Sequence, residues 1–137
     1  MAASIEECIY AVLEADSRLA VQVGSKISPS YRPGTTDLPC VVYEVMSLVG
    51  VPMLAETTQV TGDFTVTVYA DSVLSSINAG DAILEALDGT TGTLDSSDYS
   101  FKFTSASYDY EPSVDGYDFG TYSRVLTFSF LKDIGDL

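Results

Sequence analysis

The sequence predicts an α+β fold: a two-layer sandwich in which two helices pack on one face of a mostly antiparallel sheet of four to five strands. Two segments repeat apolar residues at helical spacing, and four others are rich in β-branched and aromatic residues, most of them alternating with polar ones. These segments follow one another as helix, long loop, two strands, helix and two strands. The 137 residues suffice for one domain, residues 1–137, with a substantial core.

The first helix is expected over about residues 4–22. Ser4 and Glu7 have the spacing of a capping box, in which each side chain accepts a hydrogen bond from the other residue's backbone N–H. Apolar side chains then recur on one helical face: Ile5, Cys8, Ile9, Val12, Leu13 and Leu19. Gly24 is a typical helix stop, and the pattern also allows a break near residues 16–17.

Residues 24–39 are expected to form a long loop with a short edge strand around Ile27, because they contain three prolines and two glycines. A largely buried strand follows from Cys40, where β-branched and apolar residues run together. The segment at 60–70 alternates most clearly, and its apolar positions share one parity: Val60, Phe64, Val66, Val68 and Ala70. This pattern indicates a strand with one buried face and a firmly set register.

A second helix is expected to begin after Asp71 or Ser72 and to end at Gly89. Its predicted core stripe consists of Leu74, Ile77, Leu84 and Leu87. Residues 90–98 are interpreted as a loop. Two strands follow, whose apolar faces contain Tyr99, Phe101 and Phe103 in the first and Leu126, Phe128 and Phe130 in the second. The apolar parity changes within the first of these strands, which predicts a β-bulge near Ser105.

The sequence contains no motif for catalysis or cofactor binding. Histidine is absent, so neither a Ser–His–Asp nor a Cys–His arrangement can form, and the glycines match no phosphate-binding loop. Cys8 and Cys40 lack the CxxC spacing of redox and zinc sites. Acidic residues cluster in the second half without the spacing of an EF-hand loop, and we interpret them as a solvated face. We therefore expect no enzymatic activity, no metal and no cofactor.

The acidic excess argues against two kinds of partner. Twenty acidic against six basic residues give a formal charge of −14, so the chain is poorly suited to neutralise nucleic-acid phosphates and is repelled by anionic membranes.

The N-terminal sequence has no basic segment before an apolar run, and no apolar stretch is long enough to cross a bilayer. A soluble protein made in a cytoplasm is expected.

Two regions are candidates for contacts between subunits. The segment around residues 48–58 is apolar where a hairpin needs only a few polar residues, so it is either a long hairpin or an arm that packs on a neighbouring subunit. Tyrosines concentrate near the C-terminal hairpin, either because aromatic residues favour strands or because they form a contact patch. The candidate interface residues, including two arginines able to pair with a neighbour's acids, are Val49, Val51, Met53, Leu54, Arg32, Arg124, Tyr108 and Tyr110.

In layout the chain resembles the tail-completion or tail-terminator (head–tail joining) proteins of tailed bacteriophages. The matching stretches cover nearly the whole chain in order: the first helix ending in ADSRLAVQVG, the strand LPCVVYEV, the alternating strand DFTVTVYA with a helix ending in ALDG, and the closing strand YSRVLTFSF. The resemblance lies in this order of elements and not in a catalytic motif.

The resemblance implies a two-layer subunit that assembles, commonly as a hexameric ring, at the head-proximal end of the tail tube in the virion tail. Its partners are then further copies of the chain, the tail tube protein and head or neck connector proteins. DNA passes through an acidic lumen without binding, and assembly takes place in the cytoplasm of the host bacterium. The alternatives are a neck or head-completion adaptor, a tube-like subunit of the same virion, and a small acidic binding module or hydrolase.

Overall fold

The computed structural model describes residues 4–24, 26–29, 39–53, 56–94, 97–111 and 121–133, with the backbone alone described at 51–53, 56–58 and 111. Its elements are α1 (Ile5–Ala15), α2 (Ser17–Val23), β1 (Ile27–Pro29), β2 (Cys40–Met53), β3 (Glu56–Ala70), α3 (Val73–Leu87), β4 (Thr91–Leu94), β5 (Ser97–Glu111) and β6 (Thr121–Asp133). The α+β class is confirmed. The described part of the chain has three helices and a six-stranded sheet, more than the two helices and four to five strands expected.

The N-terminal region forms two helices because Asp16 interrupts it. Ser4 and Glu7 make the predicted capping box, in which the Glu7 N–H donates to Ser4 Oγ at 3.2 Å. At Asp16 the backbone becomes extended, and its carboxylate accepts a hydrogen bond from the Leu19 N–H at 2.8 Å. A single residue therefore ends α1 and caps α2, and both helices bury apolar residues in the same core.

The sheet has the strand order β1-β2-β3-β6-β5-β4, and only the pair of β1 with β2 is parallel in the part of the chain described here. β1 is the short edge strand predicted around Ile27. β4 lies in the segment that was expected to be a loop, and its Thr91 pairs with Ser100 of β5. That prediction was wrong because four residues that include a glycine are too few to show an alternating pattern.

β2 and β3 form one long hairpin that continues through the apolar segment at 48–58. Their pairing runs from Cys40 opposite Tyr69 to Met53 opposite Glu56. Both strands therefore continue well beyond the part that packs under the helices, as one of the two interpretations of this segment required. That the hairpin also packs on a neighbouring subunit stays a prediction.

The described strand pairings contain three register shifts, one of them between Val51 and Pro52 near the tip of the β2–β3 hairpin. The predicted irregularity near Ser105 is present, because the pairing of β5 with β6 shifts between Phe103 and Ser105. A second shift occurs in β2 between Val45 and Ser47, which leaves Met46 without a partner in the register. A bulge adds one residue to a strand and locally increases its twist, and it also changes which residues face each neighbouring strand.

Phe64 of β3 lies at the centre of the core. Its ring centroid is 5.2 Å from that of Phe101, 5.3 Å from that of Phe128 and 6.2 Å from that of Phe130. These four aromatic residues come from three neighbouring strands and share one face of the sheet. The helices cover this face with buried aliphatic side chains: Ile9, Leu13, Leu19, Ile83 and Leu87.

We expect Phe64→Ala to destabilise the protein by about 3–5 kcal/mol, because it leaves a cavity between three aromatic neighbours. Val21→Ala, at a position that is 81% exposed on α2, is the control and should change the free energy of unfolding by less than about 0.5 kcal/mol. Urea denaturation followed by circular dichroism measures both. Equal effects of the two substitutions would contradict this account of the core.

Tyr43 gives the stability an alkaline limit. Burial raises the pKa of Tyr43 above its ordinary value, and the nearby Tyr10 and Glu6 raise it further. The unfolded chain then loses this proton at a lower pH than the folded one, so the stabilisation is complete below pH ~10 and declines as pH rises through the folded-state pKa. We expect Tyr43→Phe to reduce the loss of stability above pH ~10, by at most about 1.4 kcal/mol per pH unit. Identical pH profiles for the two proteins in urea denaturation would contradict this.

Candidate surfaces for subunit contact

Exposed apolar side chains concentrate at the two opposite ends of the sheet. One group, here called the hairpin strip, consists of Met46, Leu48 and Val49 on β2. The other, here called the tyrosine patch, lies where α3 and β6 begin and β5 ends, and it consists of the exposed Val73, Ile77, Tyr108 and Tyr110 together with the half-buried Tyr122. The two groups are at opposite ends of the strands. Near the strip β3 pairs with the end of β6, and near the patch β3 pairs with the start of β6.

The hairpin strip has exposed side chains on both faces of β2, which continues beyond its bulge past the helices. Leu48 and Val49 are 59% and 58% exposed, and successive residues of a strand point to opposite faces. Leu48 pairs with Gly62, and Gly62 pairs with Phe130, whose side chain is buried in the core. Leu48 therefore lies on the helix-bearing face of the sheet. Val49 lies on the other face. No residue from Val45 to Met53 is charged, in a chain of net charge −14.

The tyrosine patch is organised by Arg124 of β6. Its Nη2 donates a hydrogen bond to the Tyr108 hydroxyl at 3.0 Å, and its Nη1 donates to the Ile77 carbonyl of α3 at 3.2 Å. The guanidinium carbon also lies 4.7 Å from the centre of the Tyr108 ring, within the range of a cation–π contact. Nη1 is 3.7 Å from a carboxylate oxygen of Asp81. Arg124 therefore connects α3 to β5.

Gly80 makes this contact possible. A Cβ atom at this position of α3 would lie 2.9 Å from Arg124 Nη1 and 3.1 Å from its Cδ and Cζ atoms. A glycine inside a helix costs about 1 kcal/mol relative to alanine, so the contact supplies a structural reason for its presence. The close approach brings the guanidinium against the helix backbone, where it reaches the Ile77 carbonyl.

A cleft of about 480 Å³ opens beside Arg124, and side chains from α3, β5 and β6 line it. Val73 and Ile77 form its helical wall, and Tyr108 and Tyr122 belong to its strand wall. Tyr110 lies with its ring centre 4.5 Å from that of Tyr122. Tyr108 remains 67% exposed although it contacts Arg124, so most of its ring is open to another molecule.

The structure separates the predicted interface residues into groups. Tyr108 and Arg124 are in contact, and Tyr110 lies beside them at one end of the sheet. Val49 is exposed at the other end, where the backbone of Val51 and Met53 continues β2. Leu54 and Arg32 lie outside the described residues. The Arg124 side chain is only 12% exposed and binds within its own chain, whereas the prediction had it meeting a neighbour's acids.

Sequence reasoning missed part of both surfaces. It assigned Leu74 and Ile77 to the core stripe of α3, but they are 67% and 40% exposed. The buried positions of α3 are mainly small residues together with Ile83 and Leu87. The buried face of α3 therefore includes Ser76, Ala79 and Gly80. A helical pattern that counts small residues as core residues would have predicted this face. Leu48 began the apolar segment that the sequence singled out, but it was not among the candidates.

No group of three or more histidine, cysteine, aspartate or glutamate residues within the described ranges could hold a metal ion. None of the helices in these ranges is both long and apolar enough to span a membrane.

The family model described as tail completion protein gp17 matches residues 7–132. The chain belongs to this family. A chain in the structure titled "Virion of native gene transfer agent (GTA) particle" has the same fold as this tail-completion protein, with a TM-score of 0.72, 21% sequence identity, and 91% of each chain covered. No curated protein sequence matches this tail-completion protein. The family resemblance inferred from the order of elements is thus confirmed.

Two arginines of this tail-completion protein provide a matched test of the contact under the patch. We expect Arg124→Ala to cost about 1–3 kcal/mol, because it removes two hydrogen bonds and the packing of a largely buried side chain. Arg18→Ala removes an exposed ion pair with Glu85 and should cost at most about 1 kcal/mol. Urea denaturation measures both free energies of unfolding, and a larger effect at Arg18 would contradict this interpretation.

Proposed function

We propose that this tail-completion protein is a non-enzymatic structural component of the virion tail that closes into a ring, commonly of six copies, at the head-proximal end of the tail tube. There it ends tube growth and offers a joining surface to the head. Membership of the tail completion family over residues 7–132 carries the proposal. Its partners are further copies of itself, the tail tube protein and head or neck connector proteins.

The placement of the exposed apolar residues supports assembly into a ring. Contacts between two different surfaces of one protein are head-to-tail, and they generate closed rings when the rotation between copies closes. The hairpin strip and the tyrosine patch are two such surfaces at opposite ends of the sheet. A two-fold dimer would instead require one surface to contact itself.

The charge of the chain fits both assembly and DNA passage. Each copy carries −14, so contacts between copies are favoured where acids are scarce, as in the hairpin strip. An acidic bore repels phosphates within a Debye length of about 8 Å at physiological salt and keeps the duplex from binding to the wall. Assembly then takes place in the host bacterial cytoplasm, before the particle is complete.

The oligomeric state of the purified protein tests this proposal. We expect native mass spectrometry to give several times the 14.7 kDa of the chain, and negative-stain microscopy to show closed rings. Added salt should increase the oligomeric fraction, because it screens the repulsion between copies of charge −14.

Three results would contradict the proposal. Open tubes would favour a tube subunit, because contacts that fail to close propagate into filaments. Dissociation as salt rises would show that ion pairs dominate the interface. A protein that stays monomeric at high concentration and does not bind tail components would exclude the ring.

A further inference from the structure

Both edges of the sheet are only partly covered by the short strands beside them. β1 pairs with Val41–Tyr43 and β4 pairs with Ser97–Ser100, although β2 and β5 have 14 and 15 residues. Long strand edges are uncommon on soluble monomers, because their unpaired N–H and C=O groups can pair with another chain. The two stretches that no described strand covers are on opposite sides of the sheet, since β1 and β4 are the first and last strands in its order.

On β5 the covered part of the edge ends at Phe103. The Phe101 N–H donates to the Thr90 carbonyl at 2.9 Å, and the Phe103 N–H donates to the Asp88 carboxylate at 3.0 Å. Beyond the bulge, the strand continues to Glu111 with no described strand on this side. The residues whose backbone groups point away from β6 follow from the alternation of antiparallel pairs, and they are Ala106, Tyr108 and Tyr110. Tyr108 is the most exposed of the large apolar residues here.

On β2 the covered part of the edge ends near Tyr43. The Val41 N–H donates to the Lys26 carbonyl at 2.9 Å, so odd-numbered residues face β1 in this part of the strand. The bulge at Met46 reverses the order, and Leu48, Gly50 and Pro52 face outward after it. A proline lacks the N–H needed for pairing and is found in edge strands, which agrees with its place at the end of this edge.

We propose that the β5 edge at Thr104–Tyr108 pairs with the β2 edge at Leu48–Pro52 of a second copy of the chain, which extends the sheet from one subunit to the next. This inference rests on the ring proposed above and specifies its contact. β2 and β5 run in opposite directions, because three antiparallel pairings connect them through β3 and β6. Rotation about a ring axis inclined by about 45° to the strands does not reverse their direction, so neighbouring copies form an antiparallel pair at this edge.

The side chains at the two edges are complementary when Leu48 lies opposite Tyr108. Both residues are on the helix-bearing face of their sheets, so a directly opposed pair keeps them on the same side. The Leu48 side chain then reaches the cleft of about 480 Å³ that is lined by Val73, Ile77 and Tyr108. One apolar side chain and one partly apolar cleft, both exposed in the single chain, are buried by the same contact.

Charge favours this pairing over other contacts between copies. The β2 edge from Val45 to Met53 contains no charged residue, and the β5 edge from Thr104 to Tyr110 contains only Asp109. The rest of the chain therefore carries nearly all of the charge of −14, and contacts elsewhere bring acids together. The Asp109 carboxylate is already hydrogen-bonded to the Tyr110 N–H at 2.8 Å.

The stagger of the two edges agrees with a closed ring. Leu48 is level with Phe130 of β6, and Tyr108 is level with Arg124, so alignment of the two edges shifts the next copy by six residues, about 20 Å. Four strand spacings from one β2 to the next span about 19 Å. Strands would therefore incline by about 45° to the ring axis, near the upper end of the 35–45° typical of closed barrels.

Disulfide crosslinking tests this pairing in the full-length protein. In the double variant Leu48→Cys with Tyr108→Cys, paired Cα atoms would lie about 5.5 Å apart, within the range of a disulfide. Mild oxidation should then give a ladder of covalent multimers that ends at the size of the ring. The single variants and the wild type, whose Cys8 and Cys40 are buried, should remain monomeric on a non-reducing gel.

The crosslinking outcomes separate this pairing from the ring itself. Rings in negative stain without a ladder would overturn the edge pairing and leave the proposed function standing. Dimers from either single variant would show that an edge pairs with itself and would overturn the head-to-tail arrangement. No assembly in any variant, including the wild type, would overturn both proposals.

A charge substitution provides a second, independent readout. Leu48→Lys places an ammonium at the proposed contact, and Val21→Lys makes the same change on α2 at an 81% exposed position away from both edges. Each variant lowers the net negative charge by one, so general repulsion cannot explain a difference between them. We expect at least tenfold weaker association for Leu48→Lys alone in sedimentation velocity, with unchanged circular dichroism in both. Equal association of the two variants would overturn the proposed contact.

Discussion

The register of β3 is the constraint on which the rest of the structure depends. β3 pairs with β2 on one side and with β6 on the other along most of its length. Because strand residues alternate between faces, this register sends Phe64, Val66 and Val68 under the helices. The pairing of β1 with one end of β2 and of β4 with one end of β5 leaves the other ends of these long strands beyond their short neighbours. A shift of one residue would invert both the core and the exposed edges.

Apolar burial and charge have different roles in this molecule. Burial of aromatic and aliphatic residues on one face stabilises the subunit without disulfide bonds between its two buried cysteines. The acids keep separate copies apart, and the uncharged stretch of β2 is where that repulsion is weakest. Arg124 contributes to the stability of the subunit, because it is bound to α3 and Tyr108 within its own chain. It shapes the tyrosine patch from beneath.

The sequence was most informative where one physical rule acted over many residues. Alternation at 60–70 predicted the central strand, and the capping box predicted the start of α1. The parity change at Ser105 predicted a bulge, since a local pattern records it directly. The break allowed near residues 16–17 is present at Asp16. β4 was missed because it is too short to show a period.

The candidate surfaces were predicted less well than the fold, for a physical reason. Exposure depends on what neighbouring elements cover, and a single strand or helix cannot reveal that. Leu74 and Ile77 have the spacing of core residues, but the buried residues of α3 are mainly small ones, and Arg124 packs against one of them, Gly80. The exposure of Leu48 likewise depends on how far the helices extend over the sheet.

The unequal lengths of the edge strands affect the chain before assembly. A free subunit with two accessible sheet edges could grow into a fibre, because each added copy presents a fresh edge to the next. Electrostatic repulsion opposes such growth, since each added subunit must approach all the anionic subunits already assembled. A cyclic particle gains one extra bond on closure that an open chain of the same size lacks. Electrostatic cost and ring closure together thus favour a small finite particle over an unlimited polymer.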